Sequence, residues 1–378
     1  MYQKYKGRRS SRIKTFDPTY VIKNAPTYRE EKYVSKHNFS DFAISEKLKA
    51  SIRNRGFTVP TPIQDQAIPE ILKQLDVVGI ANTGTGKTAA FLIPLIDKVF
   101  KNRNQKVLII TPTRELAVQI EKELFLFAKS LGIYSVVCIG GVSTYNQIQK
   151  LSRRPQFVVG TPGRLLDLNS QRKLNFGEFN SVVLDEVDRM LDMGFIKDIQ
   201  KIISQLPAKR QSLFFSATIG NNVMNVMKQF TQRPITISVK SQSTGINVDQ
   251  DVVKVNGRGK LRVLQELLDH REFEKVLVFG RTKHGADKLA RELSKIGFQV
   301  STIHGNKTQN QRQKSLELFR QGRVNILVAT DVAARGIDVD NISHVINYEL
   351  PESHEDYLHR IGRTGRAGKR GKAITFVS

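Results

Sequence analysis

The eight residues ANTGTGKT, at 81–88, combine types and spacing that can hold a polyphosphate. They follow the β-branched run VVGI and open the apolar segment TAAFLIPLIDKV, so a glycine-rich turn leads from a strand into a helix. Gly84 and Gly86 let backbone amides turn toward an anion at the helix N-terminus, where the dipole favours negative charge. Lys87 can then reach the β- and γ-phosphates of a nucleotide, and the Thr88 hydroxyl can ligate Mg²⁺. The pattern G-x-x-x-x-G-K-[ST] is met except at its first position, where Ala81 stands. Asp185 and Glu186 end a second apolar run, SVVL. Acidic residues at the carboxyl end of a parallel strand face the same crevice as the phosphate loop. Asp185 is expected to hold Mg²⁺, usually through water, and Glu186 to orient and deprotonate an attacking water.

The elements that position these groups alternate. Short β-branched runs are followed by longer helical ones: KVLIITP then ELAVQIEKELFLFAKS, with SVVCIG, FVVG, SVVLDE and SLFFSAT further on. This is a βαβ series on a parallel sheet, and after Asp251 it recurs with KVLVFG, QVSTIHG, NILVATD, HVINYEL and KAITFVS as strands. The polar stretch SQSTGINVDQ between the two series has the composition of a linker. The expected organisation is a basic, flexible arm at 1–38, a first α/β domain at 39–240, a linker at 241–250 and a second α/β domain at 251–378.

Composition limits the function classes. The 378 residues suffice for two domains, and no apolar run approaches the ~20 residues of a membrane helix, so a membrane-embedded protein is excluded. Sixty Lys and Arg against 35 Asp and Glu leave a formal charge of +25, a field that attracts polyanions. Residues 1–38 contribute ten basic and three acidic residues with five interleaved tyrosines. The single cysteine, Cys138, sits in an apolar segment and reads as a core residue; without a partner it forms no intrachain disulfide and favours a reducing, cytoplasmic setting.

Taken together, the motifs from about Phe39 to Ser378 resemble those of the DEAD-box RNA helicases of superfamily 2. GFTVPTPIQ resembles the family's Q motif, which implies that Gln64 reads the adenine edge and the upstream Phe39 stacks on its face. DEVD at 185–188 stands where the family has DEAD, so Val187 replaces an alanine without displacing the carboxylates. The resemblance implies two tandem RecA-like domains, each a parallel sheet flanked by helices. It implies an ATP site that includes Thr83, Gly84, Thr85, Gly86, Lys87, Thr88 and Asp185, with Gly336 and Asp338 approaching the ribose from the second domain. PTRELA, GG, TPGR and ATDVAARGID imply RNA contacts from Pro112, Arg114, Gly141, Thr161, Gly163, Arg164 and Thr330. SAT at 216–218 implies a coupling contact from Asp188 to Ser216 and Thr218. HRIGRTGR implies that Arg363 and Arg366 reach the γ-phosphate as arginine fingers, with His359 and Arg360 as linking residues. HGNKTQNQR, at 304–312, resembles a further second-domain motif, and VLVFGRTK fits loosely, with Arg281 at its RNA-contact position.

The implied activity is ATP hydrolysis stimulated by RNA and coupled to domain closure, strand bending and local unwinding, with ATP and Mg²⁺ as cofactors. Contacts to phosphates and sugars predict little sequence preference for a single strand or short duplex. The same motifs also serve a clamp that holds RNA without unwinding it.

Overall fold

The computed structural model describes residues 33–82, 84–239, 248–334, 339, 341–365 and 370–377. Its framework is two parallel sheets, of seven and six strands, with helices between successive strands. In the first half the order along the chain is α1 (Glu46–Asn54), α2 (Pro62–Leu72), β1 (Val77–Ile80), α3 (Lys87–Lys101), β2 (Val107–Ile110), α4 (Arg114–Ala128), β3 (Ser135–Cys138), α5 (Thr144–Leu151) and β4 (Phe157–Gly160). It continues with α6 (Pro162–Ser170), β5 (Ser181–Leu184), α7 (Val187–Asp192), α8 (Ile196–Ile203), β6 (Gln211–Ser216), α9 (Asn221–Phe230) and β7 (Ile235–Ser238). The strands lie in the order β3-β4-β2-β5-β6-β1-β7.

Strands β2, β4, β5 and β6 are buried along their whole length, which is why they read as unbroken apolar runs rather than as alternating ones. One face of this sheet is closed by α3, whose Phe91 packs against Phe215 of β6 at a centroid distance of 5.3 Å. Cys138 lies in the core as a free thiol, with its pKa pushed up to about 12 by burial.

The second half runs β8 (Val248–Lys254), α10 (Lys260–Leu268), β9 (Val276–Phe279), α11 (Lys283–Lys295), β10 (Val300–Ile303), α12 (Gln309–Arg320), β11 (Ile326–Ala329), α13 (Asp331–Ala334), β12 (His344–Asn347), α14 (His354–Ile361) and β13 (Gly371–Val377). Its strand order is β10-β11-β9-β12-β13-β8.

Two boundaries differ from those expected. Residues 33–38 do not continue the arm: Tyr33 Oη donates to Asp65 at 2.6 Å, Lys36 N donates at 2.8 Å, and His37 Nδ1 lies 2.6 Å from the same carboxylate. Asp65 on α2 thus fastens this stretch to the first half. Residues 248–250 of the expected linker are the start of β8, paired with Gly371–Ala373 of β13. Residues 1–32 and 240–247 lie outside the described residues. No helix among the described residues is long and apolar enough to cross a membrane.

Candidate active site

The strand order divides the carboxyl edge of the first sheet in two. Neighbouring strands β5, β6 and β1 end in the acidic pair, in SAT and in the glycine-rich turn, while β3, β4 and β2 end in GG, TPGR and PTRELA.

On the first strip the phosphate loop is closed on itself. Buried Lys87 donates from Nζ to the Ala81 carbonyl at 2.6 Å, which spans the loop from its last residues to its first. Ala81 is itself buried, so a side chain is accommodated where the motif usually has glycine. Gly84 and Gly86 have φ of 80° and 90°, the left-handed region, and a Cβ on Gly86 would lie 2.3 Å from Gln64 Nε2. Thr88 lies in the first turn of α3, and Thr85 O accepts from Thr61 Oγ1 at 2.8 Å. Thr83 lies outside the described residues.

Gln64 is held by the protein at both ends of its amide. Oε1 accepts from Thr61 N at 2.9 Å in the capping box of α2, and Nε2 donates to Gly86 O at 3.0 Å. Each end keeps a second lone pair or N–H for a base. Phe39 is 4% exposed and packs edge-on against Phe42 and Phe57, each with centroids 5.8 Å away.

Asp185 is buried, and burial pushes its pKa up to about 7, with Lys87 opposing. Burial also raises the Glu186 pKa, but the Arg189 guanidinium and Lys87 outweigh it and hold the carboxyl below its ordinary value. Glu186 pairs with Arg189 Nη1 at 2.8 Å, and its φ of 52° is a strained conformation for a residue with a Cβ. Asp188 hydrogen-bonds to the SAT segment. Its Oδ2 accepts from Ala217 N at 3.0 Å, Thr218 N at 2.9 Å and Thr218 Oγ1 at 3.1 Å, while Ser216 Oγ accepts from Asp188 N at 3.4 Å.

On the second strip, Pro112 and Thr161 are buried beside Arg114 and Arg164, and Gly141 and Gly163 are exposed. The Arg114 guanidinium lies over the glycine pair: a Cβ on Gly141, at φ 77°, would be 2.1 Å from its Nη1. Arg164 pairs with Asp167 at 3.2 Å, yet its Nη1 is a buried donor with no hydrogen-bond partner. A buried, unsatisfied guanidinium nitrogen suits an anionic oxygen.

In the second half, Thr330 is buried at the end of β11. Arg360 is an internal tie. It donates to Asp331 from Nε at 2.6 Å and Nη2 at 2.7 Å, to Asn347 Oδ1 at 3.1 Å and to Glu349 O at 2.7 Å. His359 is exposed, and its carbonyl accepts from Arg363 Nε at 3.1 Å. The Arg363 charge is the smallest of the effects that help to hold the Glu186 carboxyl below its ordinary value. Arg281 is exposed, and its backbone N–H donates to Glu349. Gly336, Asp338 and Arg366 lie outside the described residues.

One contact between the halves was not assigned from sequence. Glu115 Oε1 accepts from Gln309 Nε2 at 3.0 Å and lies 3.0 Å from Arg312 Nε, with Glu115 and Gln309 both buried. Arg320 Nη2 reaches Gln119 Oε1 at 3.4 Å along the same α4–α12 line. Glu115 lies within PTRELA, and Gln309 and Arg312 within HGNKTQNQR; nothing in their spacing pairs them across almost 200 residues.

Comparison with known proteins places the chain in a family. Residues 61–226 match the model of the DEAD/DEAH box helicases, and residues 259–368 match the helicase conserved C-terminal domain. The chain therefore belongs to the DEAD/DEAH box helicase family, with the tandem RecA-like architecture of its structural neighbours. It is 46% identical to the ATP-dependent RNA helicase CshA of Listeria monocytogenes, over 90% of this chain and 66% of that protein. To CshA of Bacillus subtilis it is 44% identical, over 90% of this chain and 69% of the other. Among solved structures it resembles S. cerevisiae Dbp5 bound to RNA and ADP BeF3, with 30% identity, a TM-score of 0.78 and coverage of 90% and 89%. It also resembles a DEAD box protein of Methanococcus jannaschii, with 41% identity, a TM-score of 0.53 and coverage of 91% and 94%.

Proposed function

We propose that this protein is an ATP-dependent RNA helicase that closes its two halves around ATP and RNA, bends one strand and so separates short duplexes. The observation that carries the reading is the buried bridge from Glu115 to Gln309 and Arg312, which joins the two halves. The M. jannaschii protein is closer in sequence, but the global arrangement is nearer to Dbp5 holding RNA and a nucleotide analogue.

In this reading the phosphate loop amides and Lys87 take the triphosphate, which displaces Lys87 Nζ from the Ala81 carbonyl. Asp185 and Thr88 suit Mg²⁺, because a buried carboxylate held partly protonated gains a counter-cation. Mg²⁺ would neutralise charge on the β- and γ-phosphates. Glu186 stays ionised beside Arg189 and accepts the proton of the attacking water, while Arg363 stabilises charge on the transferred group. Arg114 and Arg164 hold RNA phosphates on the neighbouring strip, with Thr330 completing the track. A cytoplasmic place of work belongs to this reading and is supported by the free Cys138 thiol.

The test is Arg363→Ala. Nucleotide affinity should be retained within about threefold, while RNA-stimulated hydrolysis falls by up to the arginine-finger range of ~10³–10⁵. Hydrolysis at the wild-type rate would mean that the second half does not complete the site.

A further inference from the structure

The opposite edge of the first sheet is a band of positive charge. Its seven strands are parallel, so the segments that enter them lie along one edge, away from the acidic pair and the phosphate loop. Those segments, 73–76, 102–106, 129–134, 152–156, 171–180, 204–210 and 231–234, hold eleven Lys or Arg and two Asp or Glu. Both acids are already engaged. Asp76 is buried and accepts from Ser212 N and Gln232 N, each at 2.7 Å, and Glu178 pairs with Lys106. Arg153, Arg154, Arg172 and Lys173 are exposed, and no carboxylate among the described residues pairs with them.

Cations are favoured at helix C-termini, and each of these segments follows a helix. That preference applies equally to the second sheet. There the segments that follow a helix and enter β9 to β13, at 269–275, 296–299, 321–325, 335–343 and 362–370, hold eight basic and five acidic residues. Helix ends therefore account for only part of the excess on the first sheet. The backbone adds a second observation: Arg154, Arg172 and Arg233 have φ of 52°, 56° and 46°. These are left-handed positions past helix ends, where glycine sits without strain and a long side chain does not. Between these loops runs a groove of about 640 Å³ flanked by Arg103, Lys106, Arg154 and Lys173, with Glu178 its one carboxylate.

Strands lie ~4.8 Å apart, so a cation row across seven of them spans roughly 29 Å. Such a row can face several successive phosphates of one strand. We propose that this edge is a second RNA-binding surface that grips the phosphates of a flanking RNA segment while the cleft acts on another. The inference rests on RNA being the ligand of the cleft.

The full chain carrying Arg153→Gln, Arg154→Gly, Arg172→Gly and Lys173→Gln tests it. The two glycines match the backbone conformation, so the melting temperature should not fall. Binding of an unstructured RNA of about 40 nucleotides is measured without nucleotide across a salt series. Its affinity should fall at least ~tenfold and the log–log salt slope by about 3, at ~0.7 per lost phosphate contact. Hydrolysis stimulated by an RNA of about ten nucleotides, which fills the cleft alone, should keep its kcat and KM. Unchanged long-RNA affinity and slope would overturn the proposal, and so would polyglutamate displacing long RNA from the wild type as well as unlabelled RNA does, since the edge would then suit an acidic polypeptide. If the short RNA fails to stimulate the wild type, the cleft reading fails separately, and long-RNA binding still judges the edge.

Discussion

Replacing Glu115 by alanine should act on closure alone. The Glu115 side chain is 4% exposed and takes Gln309 Nε2 and the Arg312 guanidinium, both of which come from the other half. With the halves apart, all three groups are hydrated, so the loss falls on the closed form. Removing one partner of a buried pair costs about 3–5 kcal/mol because the other charge is left uncompensated. The lower end applies here. The Arg312 side chain keeps 13% exposure, and its Nε lies 3.0 Å from the carboxylate without an aligned hydrogen bond, so the contact is more electrostatic than directed. About 3 kcal/mol is roughly a hundredfold in the closure constant. The assay is a fluorophore pair across the halves, titrated with RNA in the presence of a non-hydrolysable ATP analogue, with the KM for RNA measured in parallel. The half-saturating RNA concentration should rise by about that factor, with little change in the ligand-free melting temperature. An unchanged KM for RNA, or an equal loss of stability without ligands, would refute the argument.

Glu186→Gln should bind ATP and RNA in the closed form but hydrolyse ~10²–10⁴-fold more slowly, because it keeps size and loses the base; single-turnover hydrolysis measures this, and a wild-type rate would remove Glu186 from the mechanism. Asp185 gives a pH signature. Its folded pKa, about 7, lies above the unfolded carboxylate value, so the folded state binds the extra proton between the two and loses stability as pH rises through that window. Melting of the ligand-free protein from about pH 5 to about pH 8 should show this loss, and Asp185→Asn should abolish that component; an identical slope in the variant would contradict the burial argument.

Much of this architecture was legible because parallel strands buried on both faces leave unbroken apolar runs, as in VLII, FVVG and SVVL. The phosphate loop was legible because its chemistry is local: glycines, lysine and threonine lie within a few residues of one another. Asp188 with Ser216 and Thr218 was readable only through family resemblance, and the contact is present. Contacts made by tertiary packing left no local trace. Phe39 looks like any aromatic near an adenine motif, yet Phe42 and Phe57 enclose it. Residues 33–38 continue the basic composition of the arm, yet Asp65 captures them, and a polar linker composition masked the start of β8. The bridge from Glu115 to Gln309 and Arg312 required knowing how two separate sheets face each other.

That bridge also bears on how nucleotide and RNA sense one another. The two strips of the first sheet meet at β2 and β5, which are joined residue by residue from Val107↔Ser181 to Ile110↔Leu184, and Asp185 N donates to Ile110 O at 3.0 Å just beyond. PTRELA and the acidic pair are thus tied through one ladder with no hinge between them. A fully buried parallel sheet is a poor bending element, so RNA on one strip has little means of altering the other strip within the first half. In the proposed reading both ligands instead stabilise the same closed arrangement, and their coupling passes through contacts with the second half. Linkage then requires reciprocity: the factor by which RNA tightens nucleotide binding must equal the factor by which nucleotide tightens RNA binding. If closure is the only path, Glu115→Ala should reduce both factors together and by the same amount, while leaving each ligand's affinity in the absence of the other nearly unchanged. Equilibrium titrations of an ATP analogue with and without RNA, and the reverse, measure the four constants. Coupling that survives Glu115→Ala at full strength, although the fluorophore pair shows closure lost, would mean that the first half transmits the signal by itself.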